Sequence, residues 1–425
     1  MKAARITPED IQDCKAANPQ PPVVEKHCCS KDTTTPTPPI QHVGGPLTSK
    51  GSTNVKVNNL PAARTGDIGT CTPVSEPNLI VTGAATVKIN GQLGARLTSI
   101  LVHKPTATVV SKGSPNVQYG GATGGASFGD PRASAAATEA CKKAAREGRG
   151  GEGNAQSKDM NCGMESVRQL CLQKCVEKKL PADDPACKCG NMSQDAWYHH
   201  YFEKHKDAHN EIAQQDYEKK KKEYDEAVEY NEKTWKKIQD YDQIYGSKTL
   251  PKEGGDDPKG KTWRFAEGQN VWCFGKGKSL SDDKYYIKRV PPKPMPPITD
   301  PAAQEKTGDV GSFTKTRGEM LKECGYEPAE GHNSTSGIGH DLANGNAVLA
   351  VVDVGQLPGG GQSGAHTITV TRMEYDEKGN LKQVVINDTS RPGKCGQPLT
   401  GAEFEKALLP NAGATNVVPS PVAPP

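Results

Sequence analysis

The sequence predicts a multidomain chain, with a small all-β module first and an α+β domain with a long helical insertion second. Three observations predict it. Between Gln41 and Gly121 a glycine-led motif recurs at Gly51, Gly83 and Gly113, and a period near thirty residues signals stacked supersecondary units. The first 121 residues hold Tyr119 as their only member of the chain's 22 Phe, Trp and Tyr residues, so small β-branched side chains must pack that module. The last 80 residues alternate like strands, while the middle of the chain has helical spacing.

Residues 1–40 are rich in Pro and Thr and read as an irregular lead-in. In residues 41–121, Gly51-Ser-Thr-Asn-Val-Lys-Val-Asn-Asn-Leu-Pro-Ala-Ala-Arg64 is echoed by Gly83-Ala-Ala-Thr-Val-Lys-Ile-Asn-Gly-Gln-Leu-Gly-Ala-Arg96 and restarts at Gly113-Ser-Pro-Asn-Val. The pairs Val55/Val57 and Val87/Ile89, ended by Asn-Asn and Asn-Gly, predict hairpins. Residues 122–155 are rich in Gly, Ala and Ser and predict a flexible tether. Residues 156–410 form the second domain, and residues 411–425 are expected to be a disordered tail.

Within the second domain, Met164, Val167, Leu170, Cys171 and Cys175 recur on one face of a predicted helix that opens at Cys162-Gly163. A thiol there meets the positive end of the helix dipole, which favours thiolate. Residues 195–300 read as an insertion. Residues 195–245 are highly charged, with Trp197, Tyr198, Tyr201 and Phe202 on one packing face, and are expected to be bent or paired rather than one straight helix. His199, His200, His205 and His209 are expected to be solvated. Gly275-Lys-Gly-Lys-Ser279 lacks the first glycine of a phosphate-binding loop, since Trp272 stands there.

The closing region predicts a strand over 347–354, a glycine loop, and a hairpin whose strands start at His366 and end at Asp388. With a three-residue loop at Glu377-Lys378-Gly379, residue 388 falls opposite residue 368, diagonally from His366. His332 and His340 are weaker rivals for the role of base. Thirteen cysteines cannot all pair within the chain, so at least one is free, ligating or intermolecular. Cys171, Cys175, Cys187 and Cys189 fit no standard metal spacing and read as buried thiols or a disulfide.

Leu60-Pro-Ala-Ala-Arg64-Thr-Gly-Asp67, inside its repeat, resembles the PAAR-repeat proteins, whose β units form a cone on the VgrG spike of type VI secretion. The resemblance implies a PAAR-like cone over residues 41–121, a VgrG partner, and a structural zinc. The matching ligands are His42, Cys71 and His103, with Cys28 or Cys29 as a fourth. Gln156, Cys162, His366 and Asp388, in that order, resemble papain-like cysteine peptidases, and most closely the bacteriocin-processing peptidase domains. That implies a Cys162 nucleophile, a His366 base, an Asp388 orienter, and an oxyanion hole from Gln156 and the Cys162 N–H, with no catalytic cofactor. The interval from Cys162 to His366 is longer than in those compact peptidases.

The two resemblances together imply a type VI effector carrying a cysteine protease toxin, with a cognate immunity protein and a protein substrate. A peptidoglycan amidase or glutamine deamidase on the same tip is the alternative, and a non-enzymatic tip with a cargo adaptor is the third reading. The near-balanced charge of +3 argues against nucleic acid, and no apolar run is long enough to span a membrane. The amino terminus lacks a secretory signal pattern, so the expectation is synthesis in the cytoplasm and injection into a target cell, its cytoplasm ahead of its periplasm.

Overall fold

A computed structural model describes residues 12–13, 43–72, 74–103, 106–146, 162–245, 312–360, 364–389, 393–409 and 414–421, with short strands between 263 and 288 and a few residues at 291–296. Two compact units are present: one contains Gln41–Lys206 and Pro301–Pro425, the other Asp207–Asp300. The N-terminal β-rich region and the C-terminal region thus belong to one unit.

The N-terminal strands are β1 (Gln12–Asp13), β2 (Val43–Leu47), β3 (Lys56–Val57), β4 (Leu60–Pro61), β5 (Ile68–Thr72), β6 (Val74–Ile80), β7 (Thr82–Ile89), β8 (Gln92–Gly94), β9 (Ile100–His103) and β10 (Thr106–Val110). They form an antiparallel sheet in the order β1-β10-β9-β6-β5-β2, a β3-β4 hairpin, and a β7-β8 pair extended by β11 (Thr123–Gly125). Both hairpins have the two-residue turns read from the sequence, with Asn58, Asn59, Asn90 and Gly91 all at positive φ.

The repeats interlock through their serines. Ser52 Oγ donates to Asn90 Oδ1 at 2.6 Å, so the first repeat reaches the turn of the second. Ser114 Oγ donates to Asn58 Oδ1 at 2.5 Å, so the third reaches the turn of the first. Arg96 closes the arrangement, with Nη1 donating to the carbonyls of Gly120 and Gly121. Polar cross-links of this kind replace the missing aromatic core.

Residues 123–146 are not a tether. After β11 and β12 (Ser127–Phe128), α1 (Pro131–Arg146) begins at a proline preceded by Asp130, whose carboxylate accepts from Arg132 N–H at 2.8 Å. The alanines let α1 pack closely. Gln169 Nε2 donates to Ala137 O, Ser134 and Thr371 hydroxyls meet at 2.9 Å, and Cys141 is disulfide-bonded to Cys395. The remaining 147–155 lie outside the described residues, as does most of the 1–40 lead-in.

Next come α2 (Cys162–Glu177), α3 (Pro185–Gly190) and α4 (Gln194–Tyr245). The 52-residue α4 is one continuous helix. Its exposed surface carries i,i+4 ion pairs such as Lys221–Asp225, which support an isolated helical stretch. In the second unit, β13 (Trp263–Ala266), β14 (Val271–Phe274) and β15 (Tyr286–Lys288) form a small antiparallel sheet.

The C-terminal part continues with α5 (Thr314–Glu323), β16 (Ala329–His332), α6 (Thr335–Ala343), β17 (Asn346–Asp353), β18 (Ala365–Tyr375), β19 (Leu381–Asn387), β20 (Cys395–Thr400), α7 (Gly401–Ala407) and β21 (Ala414–Pro419). The antiparallel sheet runs β16-β21-β17-β18-β19-β20, with β12 also paired to β18. The expected disordered tail therefore supplies an interior strand. Val417 and Val418 are buried, and β21 pairs with β16 and β17 on its two sides.

Alternation along β17 divides the core. Val348, Ala350 and Val352 join a cluster with Phe128, Ile338, Ile368, Val370, Ile386 and Phe404. Leu349 joins a second cluster with Met164, Val167, Leu170, Trp197, Tyr201, Met320 and Leu321 from α2, α4 and α5. Leu79 and Val81 of the N-terminal region are fully buried in the first cluster. At the same contact Gly66, at φ +91°, leaves room for Ala343, whose Cβ would lie 2.4 Å from a Cβ placed on residue 66. The His340 Nδ1–H donates to Gly66 O at 2.9 Å.

Because the regions share a core, Leu79→Ala should destabilise the C-terminal part as well. A loss of about 2–5 kcal/mol is expected for such a truncation. All four Trp residues lie beyond residue 196, so denaturant unfolding followed by tryptophan fluorescence reads the effect away from the mutated strand. An unchanged fluorescence midpoint would mean that the two regions unfold independently.

Candidate functional site

Cys162 is the first residue of α2, partly exposed and outside any disulfide. The sequence sets it there in three ways. Ser166 Oγ donates to Thr367 O at 3.4 Å, tying the first turn to β18. Trp197 Nε1 donates to Met164 O at 2.8 Å, tying it to α4. Glu165 and Arg168, both essentially inaccessible, pair at 2.9 Å, and Arg168 Nη1 also donates to Met192 O. Gly163 is required by a close approach: a Cβ there would sit 2.1 Å from Ser312 Oγ and 3.0 Å from Arg317 Cδ.

His366 stands near the start of β18, and Asp388 follows directly on β19. Their side chains meet with His366 Nε2 to Asp388 Oδ1 at 2.8 Å, and both residues are buried. Nδ1 is left to face Cys162, with which the imidazole is hydrogen-bonded. The register explains the meeting. Leu381 lies opposite Tyr375, a bulge then shifts the pairing one way, and a second bulge at Thr371 shifts it back, so Asn387 pairs with Thr369. The two irregularities cancel, and residue 388 emerges at the level read from the sequence. Gly379 takes φ +82° in the turn, as that reading required.

The electrostatics favour an ion pair. Burial pushes the Cys162 thiol up, but the His366 hydrogen bond and charge, the Thr367 N–H at 3.5 Å from Sγ and the charge of Arg317 outweigh it, so the net shift is down. Burial pushes His366 down, yet its hydrogen bonds to Asp388 and Cys162 and their charges carry it up to about 10. A lowered thiol hydrogen-bonded to a raised imidazole favours the thiolate–imidazolium form of the pair. Such a pair can attack a carbonyl carbon and then protonate the leaving group.

Arg317 was missed by sequence reasoning. This guanidinium is buried in α5, where Nε donates to Asn416 Oδ1 at 2.8 Å, Nη1 to Ser312 O at 2.7 Å and Nη2 to Thr314 Oγ1 at 3.0 Å. Burial pulls it down to about 10, and the Cys162 charge works against that fall. Nothing in Thr-Lys-Thr-Arg317 distinguishes it from a surface arginine.

Gln156 lies outside the described residues. His332 and His340 take no part in the site: His332 pairs with Ala414 on β16, and His340 bonds Gly66. Cys171 is bonded to Cys324, and Cys175 to Cys187, so of the alternatives left open for these cysteines the disulfide holds for three. Cys189 stays a buried thiol. Of the four histidines expected to be solvated, His209 is buried, and His200 and His205 are partly exposed, each bound to a carboxylate oxygen of Glu323.

Of the proposed metal ligands in the N-terminal region, His42 and the Cys71 side chain lie outside the described residues. His103 is buried at the end of β9. The backbone places Cys71 and His103 in one sheet: Gly44 pairs with Cys71 on β5, and β9, which ends at His103, pairs with β5's neighbour β6 through Val102 and Leu79.

Residues 38–104 match the family model for the PAAR motif. The match falls on the β-rich region whose sheet and interlocked hairpins are described above, and it marks the chain as associated with the type VI secretion spike. No curated protein matches the chain. No helix among the described residues is long and apolar enough to cross a membrane.

The proton balance of the site is testable through the Cys162 thiol. Replacing Asp388 by Asn removes the group that keeps His366 protonated, so the thiolate loses its counter-charge and the thiol pKa rises. At a pH below the thiol pKa, each unit of rise slows alkylation about tenfold. Iodoacetamide labelling of the Cys162 peptide, followed by mass spectrometry across pH 5–9, should show the wild type reacting well below the ordinary thiol range and Asp388→Asn needing higher pH.

Proposed function

We propose that this chain is a type VI effector in which a PAAR-like tip, seated on a VgrG spike, delivers a papain-like cysteine hydrolase into a competing bacterium. The observation that carries the enzymatic part is the convergence of Cys162, at a helix start, with His366 and Asp388 on neighbouring strands. Thiolate attack on a carbonyl carbon forms an acyl-enzyme and expels the leaving group, which takes its proton from His366. Water, deprotonated by His366, then releases the acyl group. The Cys162 backbone N–H and Gln156 would hold the oxyanion. The first reading of the substrate is a protein, cut at a peptide bond.

A second reading has specific support. Three disulfides, Cys141–Cys395, Cys171–Cys324 and Cys175–Cys187, cross-link the elements around the sheet that carries the site, and such bonds persist in oxidising compartments such as the periplasm. This favours the periplasm over the cytoplasm as the place of action, and with it an amidase acting on peptidoglycan peptides. The producing cell needs an immunity protein that covers the Cys162 cleft. In the tip, His42, Cys71 and His103 would hold a structural zinc, for which two imidazoles and a thiolate are a suitable donor set.

The test uses the full chain, since the two regions share a core. Expressed in a sensitive cell with and without a periplasmic export signal, it should be toxic in at least one compartment, and Cys162→Ala and His366→Ala should each abolish toxicity. Lysis confined to the periplasmic form selects the amidase. Toxicity confined to the cytoplasmic form, with new protein termini, selects the protease. Undiminished killing by Cys162→Ala would overturn the enzymatic reading.

A further inference from the structure

A second cluster of chemistry-bearing side chains lies apart from the triad, where α3, α4 and α5 meet. Cys189 of α3 is 6% exposed and, like Cys162, is a free thiol outside any disulfide. His200 of α4 places Nε2 at 2.5 Å from Glu323 Oε2, and His205, further along α4, places Nε2 at 2.6 Å from Glu323 Oε1. Donor atoms of Cys189, His200 and Glu323 all lie within 4.8 Å of one another.

We propose that Cys189, His200 and Glu323 bind a zinc ion, with His205 as the positioning residue that holds the other oxygen of the Glu323 carboxylate. Thiolate, imidazole and carboxylate are the three donor types zinc accepts. Tetrahedral donors around zinc stand about 3.5 Å apart, so the His200–Glu323 hydrogen bond at 2.5 Å must open to admit the ion while the Cys189 thiolate, within 4.8 Å of both, closes on it. The thiolate and the carboxylate together cancel the charge of a divalent cation, which suits a half-buried position. Solvent reaches the fourth coordination position, since the His200 and Glu323 side chains are 21% and 25% exposed.

The surroundings also hold the donors in place. Trp197 stacks on the His200 ring at 5.4 Å between centroids and 13° between planes, and Tyr201 packs against His205. Glu323 is followed by Cys324, which is disulfide-bonded to α2, and Cys189 is two residues from Cys187, likewise bonded to α2. Among the described residues α4 has no such covalent link to its neighbours. A zinc ion here would supply it, clamping the start of α4 to α3 and α5 in the cluster that supports the Cys162 helix. Such an ion is structural, remote in role from the nucleophile and distinct from the ligands His42, Cys71 and His103.

The full chain, purified without reductant so that the disulfides stay closed, is stripped of metal and titrated with cobalt(II) as a probe. Wild type should take up one equivalent more than Cys189→Ser and show a thiolate-to-cobalt charge-transfer band that this variant loses. Cys162→Ala should keep both, which separates the site from the triad. Any band from Cys71 remains in every variant and cancels in the difference. His200→Gln, partly exposed and away from the core, carries the same comparison should Cys189→Ser fail to fold. His205→Ala should retain the equivalent but bind it about tenfold or more weakly, as expected for a residue that orients a ligand. Equal uptake and equal spectra in wild type, Cys189→Ser and His200→Gln would overturn the proposal.

Discussion

The charge pair between Cys162 and His366 is the constraint on which the rest of the C-terminal part depends. Neither partner holds its charge by itself, since burial opposes ionisation of both. The thiolate needs the imidazolium, the imidazolium needs Asp388, and the surrounding field needs Arg317. Each of these four groups comes from a different element: α2, β18, the end of β19 and α5. Gly163, directly after Cys162, belongs to the same requirement, because only a residue without a side chain lets Ser312 and Arg317 come so near. A site built this way is as precise as the packing between its elements.

That packing is cross-linked to an unusual degree on one side of the sheet. α2 is joined to α3 and α5 by disulfides, and α1 is joined to β20. The buried Glu165–Arg168 pair adds hydrogen bonds to the carbonyls that end α3. A buried ion pair is poor evidence of added stability, but breaking one half of it leaves a charge without solvent or partner, which is costly. The pair therefore fixes the orientation of the first turn of α2, on which Cys162 sits.

Much of the site was legible in the sequence, for physical reasons that can be named. Cys162-Gly163 stood where polar residues gave way to a helical face, and the turn before Gly379 and the alternation on both strands set the level of Asp388 against His366. The reading survived two bulges only because they oppose each other. The repeats were legible because Asn-Asn and Asn-Gly turns need positive φ, which few residues tolerate. What stayed hidden was long-range. Arg317 gains its role from Asn416, nearly a hundred residues away, and no local pattern announces that. Alanine-rich α1 read as a tether because its composition was weighed above its start signal, Asp130-Pro131. The C-terminal strand was lost because a short Val417-Val418 step, judged alone, looks too weak to fold, and its stability comes from neighbours on both sides. The cluster shared by the two regions has no local signature, since Leu79 and Val81 read as ordinary strand residues of the repeat.

Leu79, Val81 and Gly66 bear on the history of such a chain. A tip and a cargo joined by a loose tether can be exchanged by recombination anywhere in the tether, and each new pairing works at once. Here the seam lies inside a packed interior, where Gly66 meets Ala343 and Leu79 packs over Gly339. A foreign tip would bring the wrong side chains to that surface, leaving voids or overlaps. Exchange of one part without the other would therefore cost packing in both.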